Sequence, residues 1–431
     1  MNIQSRRFVS RLTGRTNALV LAGGRGSRLK MLTDWRAKPS VPFGGKFRII
    51  DFALSNCLNS GINQISVLTQ YKSHALIRHI QRGWNTFRAD MGEFMEIIPA
   101  QQWVEEESWF SGTADAVYQS LDIIDSHQPE YVLVLAGDHV YQMDYGEMLA
   151  NHANMVADIT IACCTVPLAE ASAFGVVTVD DKQRISEFTE KPEQPAPRPG
   201  DPENALVSMG IYIFSYDYLK QELKLDAKNA ASSHDFGKNI IPDAVARGHR
   251  VIAYPFGQQV VESKAYWRDV GTIDAYFEAN MEVLQPDPAL DLYGMDWRIH
   301  TYQEQLPPAK FIGSAATGSH MGTSMVSGGC VINQSQLEHS MLFSNVHLGE
   351  GCVLEDVLAL PDCKIEDNVR LKRVLLDNGC HLPAGTVIGE DPEADAKRFH
   401  RTDGGVVVVN RAMLGQEHRY TPSGEVDHYS F

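Results

Sequence analysis

Cysteine is sparse in this sequence, and long apolar runs are missing from it. Seven cysteines occur in 431 residues, none of them in a C-x-x-C pair. This usage argues against a disulfide framework and gives no zinc-site spacing, so we expect a reducing compartment, the cytoplasm. No apolar stretch approaches the ~20 residues that a membrane-spanning helix needs, so no membrane partner is expected.

Positive charge is also scarce overall, yet it is concentrated in one place. Lysine and arginine number 38 against 54 acidic residues, which gives a net charge of -16 and argues against nucleic acid as a partner. The stretch "LAGGRGSRLKMLTDWRAKP", residues 21–39, nevertheless holds three glycines and five basic residues, with Asp34 as its one carboxylate. Basic side chains clustered beside glycines in an otherwise acidic protein indicate an anion-binding site in this stretch.

The chain length predicts two domains, and the pattern of apolar residues differs between the N-terminal and C-terminal parts of the sequence. From Asn17 to about Ile241, apolar segments alternate with amphipathic helices. The predicted strands are residues 65–71, 131–139, 158–166 and 210–215, after a first strand that ends in the glycine loop. Such a pattern indicates a mostly parallel sheet covered on both faces. The basic residues 1–16 are interpreted as a surface arm rather than a transit peptide, and residues 192–202 as a proline-rich surface loop.

Beyond about Ser324, apolar residues recur every six positions. One series is Val346, Cys352 and Leu358; a second comprises Val353, Ala359, Ile365 and Leu371. A period of six fits neither an α-helix nor a hairpin and is typical of a β-helix. The series slip near Ser340 and Asp377, so irregular coils are expected. We therefore predict an α/β domain over residues 1–305 and a β-helix over residues 306–431.

The glycine loop predicts a phosphate site. Gly23, Gly24 and Gly26 directly follow a buried strand, where backbone N–H groups and a helix N-terminus can bind an anion. A Walker motif is absent, and Leu29 stands where a dinucleotide fingerprint needs glycine. The alternative interpretation is a tight strand-to-helix turn with solvated arginines.

Two further motifs carry candidate chemistry. Asp138 ends a predicted strand in "LAGDHVY", and Asp269 lies in "YWRDVGT"; carboxylates at such positions suit Mg²⁺. The alternative for Asp138 is a helix N-cap. Glu190 and Lys191, in "FTEKPE", can bind a sugar and its phosphate, although an exposed ion pair has the same sequence signature.

Taken together, these motifs resemble one family. "GGRGSRL", "RAKPSVPFGGKFRIIDFALSN", "GTADAVYQ", "GDHVY", "EKP" and "YWRDVGT" occur in the order found in bacterial glucose-1-phosphate adenylyltransferases, also called ADP-glucose pyrophosphorylases. The resemblance covers nearly the whole chain. It implies a Rossmann-like nucleotidyltransferase domain with a mostly parallel sheet, followed by a C-terminal left-handed β-helix for regulation and oligomerisation.

The resemblance also implies a reaction. ATP and α-D-glucose 1-phosphate would give ADP-glucose and pyrophosphate, the first step of glycogen biosynthesis, in a homotetramer controlled by anionic metabolites. Mg²⁺ would be held by Asp138 and Asp269.

The same resemblance assigns the site residues. The catalytic group would be Arg28, Asp138, Lys191 and Asp269. The ATP site would comprise Gly23, Gly24, Arg25, Gly26, Lys38, Gln101, Gln102, Gly112 and Thr113. The glucose 1-phosphate site would comprise Phe110, Gly175, Glu190, Lys191 and Ser208. Allosteric control would involve Trp35, Arg36, Arg48, Gln70, Trp109 and Arg411. Lys38 would lie near the triphosphate or link it to the regulatory site.

Four positions depart from the family pattern. Phe110 replaces a tyrosine, so the ring can still stack or line the site, while the hydrogen bond of the hydroxyl is lost. Trp35 and Asn378 stand where basic effector contacts occur, and Ser126 where a basic residue is associated with AMP inhibition. The identity and sign of the effector are therefore not predicted.

Two other functions compete with this one. Another sugar nucleotidyltransferase would often carry acyltransferase activity, which needs a long, regular β-helix that this sequence lacks. A non-catalytic regulatory subunit would have lost a metal carboxylate or the sugar-phosphate lysine, and both are present here.

Overall fold

The computed structural model describes residues 3–24, 26–100, 109–257, 265–313 and 319–416. Gln101, Gln102 and Arg25 of the predicted ATP site lie outside these residues. The chain forms two compact units, and neither is one continuous segment. The first comprises residues 1–25, 49–267 and 293–302; the second comprises 26–48, 268–292 and 303–431. The division at residue 305 into functional domains stays a prediction, since these units reflect packing.

The first unit is an α/β domain. Its strands are β1 (Thr16–Leu21), β4 (Gln64–Thr69), β5 (Phe94–Pro99), β6 (Tyr131–Ala136), β7 (Val140–Tyr141), β8 (Ile159–Pro167), β9 (Gly175–Val179), β10 (Ile185–Glu190), β11 (Asn204–Ser215) and β12 (Val251–Pro255). Its helices are α1 (Ile3–Thr13), α2 (Ile49–Asn59), α3 (His74–Gly83), α4 (Thr113–Gln119), α5 (Leu121–His127), α6 (Tyr145–Asn154), α7 (Tyr216–Asp226) and α8 (Ile241–Ala246).

The main sheet is parallel over four strands on one side, of which β5 is the edge strand. Strands β6, β1, β4 and β5 lie side by side in parallel, and β12 is parallel to β8. Side chains of β1 alternate between two apolar clusters: Ala18 and Val20 pack in one, Leu19 in the other. The sheet is therefore buried on both faces, as its continuous apolar strands predict, and its strand ends are fixed by packing on each side.

Three details differ from the sequence-based expectation. β11 runs antiparallel to both β6 and β8, so the later predicted strands do not extend the parallel order. β9 and β10 form an antiparallel hairpin. The N-terminal segment predicted as a surface arm is the helix α1, in which Leu12 is buried in the apolar core. Periodicity indicates that a strand exists but not its direction, which is set by the connections.

The second unit is built around a parallel β-helix. It contains β2 (Pro42–Phe43), β3 (Phe47–Arg48), α9 (Ile273–Glu282) and α10 (Pro392–Arg398), while β13 (Trp267–Arg268) spans the change of unit. The β-helix strands are β14 (Lys310–Ile312), β15 (His320–Met321), β16 (Met325–Val326), β17 (Val331–Asn333), β18 (Gln336–Glu338), β19 (Met341–Leu342), β20 (His347–Leu348), β21 (Val353–Ala359), β22 (Lys364–Ile365), β23 (Arg370–Leu376), β24 (His381–Leu382), β25 (Val387–Ile388), β26 (His400–Arg401) and β27 (Val407–Val409).

The coil length explains why the six-residue series slip. In the middle coils, paired residues are sixteen or seventeen positions apart, as in Met325 with Met341 and Val353 with Arg370. Three full hexapeptides would need eighteen, so the frame shifts by one or two residues in each of these coils. Leu358 is fully buried, whereas Val353 is 39% exposed. The apolar residues that recur every six positions therefore do not all point into the core.

No helix among the described residues is both long enough and apolar enough to cross a membrane.

Replacing Leu358 by alanine should destabilise the β-helix by about 2–5 kcal/mol, because it leaves a cavity in a close-packed core. Val353→Ala, on the neighbouring exposed position, should change the free energy of unfolding by no more than about 0.5 kcal/mol. Chemical denaturation of both variants checks this difference. Equal losses would show that the inward and outward positions are misassigned.

Candidate active site

The glycine loop begins where β1 ends. Gly23 lies against the side chain of Gln70, since an added Cβ at Gly23 would sit 3.2 Å from the Cβ of Gln70. Gly24 has open space around it. Gln70, predicted to take part in control, therefore packs directly on the predicted phosphate loop. Both residues belong to the first unit.

In the second unit, the loop continues into a cluster of two cations and a carboxylate. Lys38 Nζ donates to the main-chain oxygen of Asp269 at 2.8 Å and to its carboxylate at 3.2 Å. Arg28 Nη2 lies 3.5 Å from the other carboxylate oxygen. The lysine side chain is 5% exposed and the arginine side chain 62% exposed. Lys38 is therefore committed to Asp269, while Arg28 presents its charge to solvent.

Two glycines make this cluster possible. Gly26 has φ +60°, and a Cβ there would lie 2.9 Å from the Cβ of Lys38. A Cβ on Gly271 would lie 2.4 Å from the Asp269 carboxylate and 2.9 Å from Arg28. Val270, which lies between Asp269 and Gly271 in the chain, is buried and has φ +43°, a strained value for a β-branched residue. Strain of this kind concentrates at functional sites. Sequence reasoning missed Gly271, although it lies within the quoted "YWRDVGT".

Asp138 lies just beyond the carboxyl end of β6, in the first unit. Gly137 precedes it, and a Cβ there would meet β1 at 3.0–3.1 Å. His139 Nε2 lies 3.7 Å from the Asp138 carboxylate, and the His139 ring meets the edge of Trp267 with centroids 5.3 Å apart. The sequence analysis did not single out His139, although its imidazole adds a possible metal ligand beside Asp138.

The predicted sugar site comes together in the first unit. Gly175 pairs with Glu190 across β9 and β10, and a Cβ on Gly175 would lie 2.9 Å from the Glu190 carboxylate. Lys191 Nζ lies 3.3 Å from that carboxylate, with its side chain 60% exposed. Lys191 also has φ +47°, a second strained position at a predicted site. Ser208 Oγ donates to the Tyr212 hydroxyl at 3.5 Å, at an irregularity of β11.

Burial raises the pKa of Tyr212, with a further raising contribution from the negative charge of Glu190. Its hydroxyl therefore keeps its proton and can act as a donor beside the carboxylate.

A short motif around residue 235 completes this group and was missed. A Cβ on Gly237 would lie 2.7 Å from the Glu190 carboxylate, so this glycine allows close approach. Asp235 accepts from the N–H of Gly237 and from the Thr113 hydroxyl at 3.0 Å. It caps a π-helical turn, Phe236–Ile240, a geometry that is frequent at functional sites. Charge, glycine and aromatic residues in "HDFGKN" are the signal that was available in the sequence.

Three further predicted site residues, Gly112, Phe110 and Trp109, lie close together in the sequence just before the start of α4. Gly112 caps α4 so closely that a Cβ would lie 2.2 Å from the His234 oxygen. The Phe110 side chain is half-buried against the core. Trp109 is 48% exposed and stacks on Tyr71, with ring centroids 5.4 Å apart. Trp109 is thus not a core residue. The ring on which it stacks, Tyr71, directly follows Gln70 in the chain.

Four of the six predicted regulatory residues, Trp35, Arg36, Arg48 and Arg411, belong to the second unit, and two of them lie at a buried ion pair. Arg36 Nη2 donates to Asp377 at 2.5 Å, and its Nη1 donates to the Asn378 amide oxygen at 2.6 Å. The Trp35 ring stacks on the Arg36 guanidinium, 4.5 Å from the ring centroid. Arg36 is fully buried. Losing one partner of such a pair typically costs about 3–5 kcal/mol, because the other charge stays buried.

Arg48 and Arg411 complete this predicted set. Arg48 Nη1 donates to the Ser40 carbonyl at 2.7 Å. Arg411 lies beside Gly379, and its buried Nε has no hydrogen-bond partner among the described residues. A donor left without an acceptor is suited to an incoming anion.

Comparisons with known proteins agree with this fold. The nucleotidyl transferase family model matches residues 17–286, and a GlmU-like C-terminal hexapeptide model matches residues 307–409. The second match agrees with a left-handed β-helix.

Full-length relatives point the same way. Glucose-1-phosphate adenylyltransferase of Nitrosococcus oceani is 57% identical over 417 residues, covering 96% of this chain and 98% of the relative. The enzymes of that name from Methylococcus capsulatus and Nitrosomonas europaea are 55% and 53% identical, each over 96% of this chain and 97% and 96% of their own lengths. The chain therefore belongs to the glucose-1-phosphate adenylyltransferases, nucleotidyltransferases that form ADP-glucose from ATP and glucose 1-phosphate.

Proposed function

We propose a division of roles by which this chain transfers the adenylyl group of ATP to α-D-glucose 1-phosphate. A phosphate oxygen of the sugar phosphate attacks the α-phosphorus of ATP, the bond to the β-phosphate breaks, and pyrophosphate leaves. Such transfers depend on positioning and charge neutralisation rather than on a covalent enzyme intermediate. The observation that carries the proposal is the cation and carboxylate cluster of Arg28, Lys38 and Asp269, built by glycines that admit no larger residue.

Arg28 and the glycine loop would hold the departing pyrophosphate. The exposed guanidinium can form two parallel bonds to phosphate oxygens, which a point charge cannot. Gln101, Gln102, Gly112 and Thr113 would contact the base or ribose, in part through backbone groups, since the Thr113 hydroxyl already donates to Asp235.

Asp138 and Asp269 would hold a divalent cation, which we infer to be Mg²⁺. The donor set fits, because both are carboxylates and Mg²⁺ prefers one or two of these together with phosphate oxygens and water. Bound Mg²⁺ would neutralise charge on the nucleotide phosphates. Lys38 and Arg28 fix the orientation of the Asp269 carboxylate, and the strained backbone at Val270 sets its direction.

Lys191 would bind the phosphate of glucose 1-phosphate, and Glu190 the sugar hydroxyls. Glu190 is surrounded by Gly175 and Gly237, both without a Cβ, so a sugar ring can approach its carboxylate. The long, exposed lysine next to it can exchange its bond with Glu190 for a phosphate oxygen.

Control would come from an anionic metabolite bound by Arg48 and Arg411, while the predicted contact Arg36 is fully buried and paired with Asp377, so it would act from behind the site. The unpartnered Nε of Arg411 supports an anion at this place. Trp35 and Asn378 contribute no charge, and both contact Arg36. We further infer a homotetramer, as the family resemblance implies, and a cytoplasmic location, which suits seven cysteines that are all free thiols.

One assay tests the proposed reaction. The purified protein is mixed with Mg²⁺, glucose 1-phosphate and each nucleoside triphosphate in turn, and pyrophosphate release is followed. ATP should be the preferred donor. Faster release with another triphosphate, or release without glucose 1-phosphate at the same rate, would overturn the assignment.

Asp138→Asn should keep the fold and lower kcat at least about a hundredfold, because the neutral amide is a poor ligand for Mg²⁺. Asp122→Asn, on the exposed face of α5, is the matched control and should leave kcat unchanged. Steady-state rates over a range of Mg²⁺ concentrations check this. A near-normal kcat at saturating Mg²⁺ would remove Asp138 from the metal site.

Lys191→Ala should raise KM for glucose 1-phosphate at least about tenfold and leave KM for ATP within about twofold. The loss of one charge-assisted contact to a phosphate accounts for the difference. Lys182→Ala, in an exposed turn, serves as the control. Equal rises of the two KM values would show that Lys191 does not lie at the sugar phosphate.

Unmodified protein should respond weakly to fructose 1,6-bisphosphate and more strongly to a smaller anion such as pyruvate or fructose 6-phosphate. A bisphosphate needs donors at both ends, and Trp35 carries no charge where an ammonium would serve, while its one N–H donates to Asp377. Trp35→Lys should strengthen the response to the bisphosphate when activation is measured across a metabolite panel. The charge argument is wrong if the unmodified protein is already activated best by the bisphosphate.

A further inference from the structure

A segment of catalytic importance packs with the β-helix, although it comes early in the chain. Residues 26–48, which carry Arg28 and Lys38, belong to the same compact unit as residues 303–431. Besides the contacts made by Trp35 and Arg36, further side chains join the two segments. Lys30 Nζ lies 3.1 Å from His400 Nε2, and the Ser327 hydroxyl donates to the Gly45 carbonyl at 2.9 Å.

Arg36 is the most restricted of these links. Its Nε donates to the Leu32 carbonyl at 2.9 Å, within the turn that begins at Ser27, one residue before Arg28. Its two terminal nitrogens donate to Asp377 and Asn378 of the β-helix. One guanidinium therefore ties the turn that carries Arg28 to a single corner of one β-helix coil.

Arg36 also lies only two positions before Lys38 in the chain. Ala37, between them, is extended and 2% exposed, so the backbone there has little room to adjust. Lys38 in turn donates to the main chain and the carboxylate of Asp269. Asp377 is thus linked by a hydrogen bond to Arg36, Arg36 by the backbone of Ala37 to Lys38, and Lys38 by hydrogen bonds to Asp269.

We propose that Asp377 is a positioning residue for adenylyl transfer, which fixes Lys38 and, through it, the Asp269 carboxylate. This role rests on the proposed function, in which Asp269 binds the divalent cation. The Asp377 side chain is buried and bonds to Arg36 and Trp35, neither of which is a predicted substrate contact, so its effect passes through Arg36. The carboxylate also accepts from Trp35 Nε1 at 3.4 Å, which holds the residue before Arg36 as well.

The physical argument concerns direction rather than stability. A well-packed apolar group can replace a buried ion pair at little cost in stability. What an apolar group cannot supply is a set of directional bonds that fix the guanidinium, and hence residues 35–38, in one place. Residues that orient a metal ligand from behind typically change metal affinity or activity 10–100-fold when replaced.

The test uses the full chain and two readouts. Mn²⁺ binding to the free protein is measured by electron paramagnetic resonance, and kcat and KM by pyrophosphate release. Asp377→Asn should weaken Mn²⁺ binding and lower kcat, each by at least about tenfold, with KM for glucose 1-phosphate within about twofold. Asp356→Asn, which breaks the His339–Asp356 pair elsewhere in the β-helix, is the matched control and should change none of these values.

A second variant covers the case in which Asp377→Asn does not fold. Arg36→Met combined with Asp377→Leu replaces the whole pair by apolar groups and should fold, yet show the same loss of Mn²⁺ affinity and kcat. A folded variant of either kind with unmodified Mn²⁺ affinity and kcat overturns the proposal, and so does failure of both to fold, since the pair would then be structural. Lack of transfer activity in the unmodified protein would refute the proposed function instead, while Mn²⁺ binding would still decide the role of Asp377.

Discussion

The buried ion pair between Arg36 and Asp377 is the interaction on which the second unit depends. The two residues are 341 positions apart, and both are almost completely excluded from solvent. A charge pair in such a place is tolerated only when its geometry and remaining hydrogen bonds are satisfied. Asn378, Trp35 and the Leu32 carbonyl supply those bonds and contacts. The early segment that carries Arg28 and Lys38 is thereby made part of the β-helix unit.

On the proposed function, this arrangement explains how an acidic chain binds a polyphosphate. In the second unit, the ammonium group of Lys38 is buried and paired with Asp269, whereas the guanidinium of Arg28 is largely exposed to solvent. The first unit holds Asp138 after a central strand and groups Glu190, Lys191 and Ser208 around glycines. Each candidate site thus combines a carboxylate, a cation and a glycine that permits close approach. The strained positions Lys191 and Val270 lie at these sites, where strain is compensated by surrounding contacts.

Local signals in the sequence predicted much of the fold. Apolar runs marked β1, β4 and β6, and the six-residue period marked the β-helix, because each depends on near neighbours in the chain. The antiparallel direction of β11 and the closure of Lys38 on Asp269 are long-range outcomes of packing, which no local pattern records. Asp377 gave a partial signal: the six-residue series slips there, where a polar side chain turns inward. That irregularity in the six-residue series did not indicate that Arg36 is the partner of Asp377.

The central claim is that residues 26–48 and 268–292 are held by the β-helix rather than by the α/β sheet. Native-state hydrogen exchange of the full chain, at increasing denaturant, tests it most directly, because segments that open together share one free energy of opening. The amides of these two segments should lose protection together with those of β21 and β23. Loss of protection together with β1, β4 and β6, while β21 and β23 stay protected, would contradict the account.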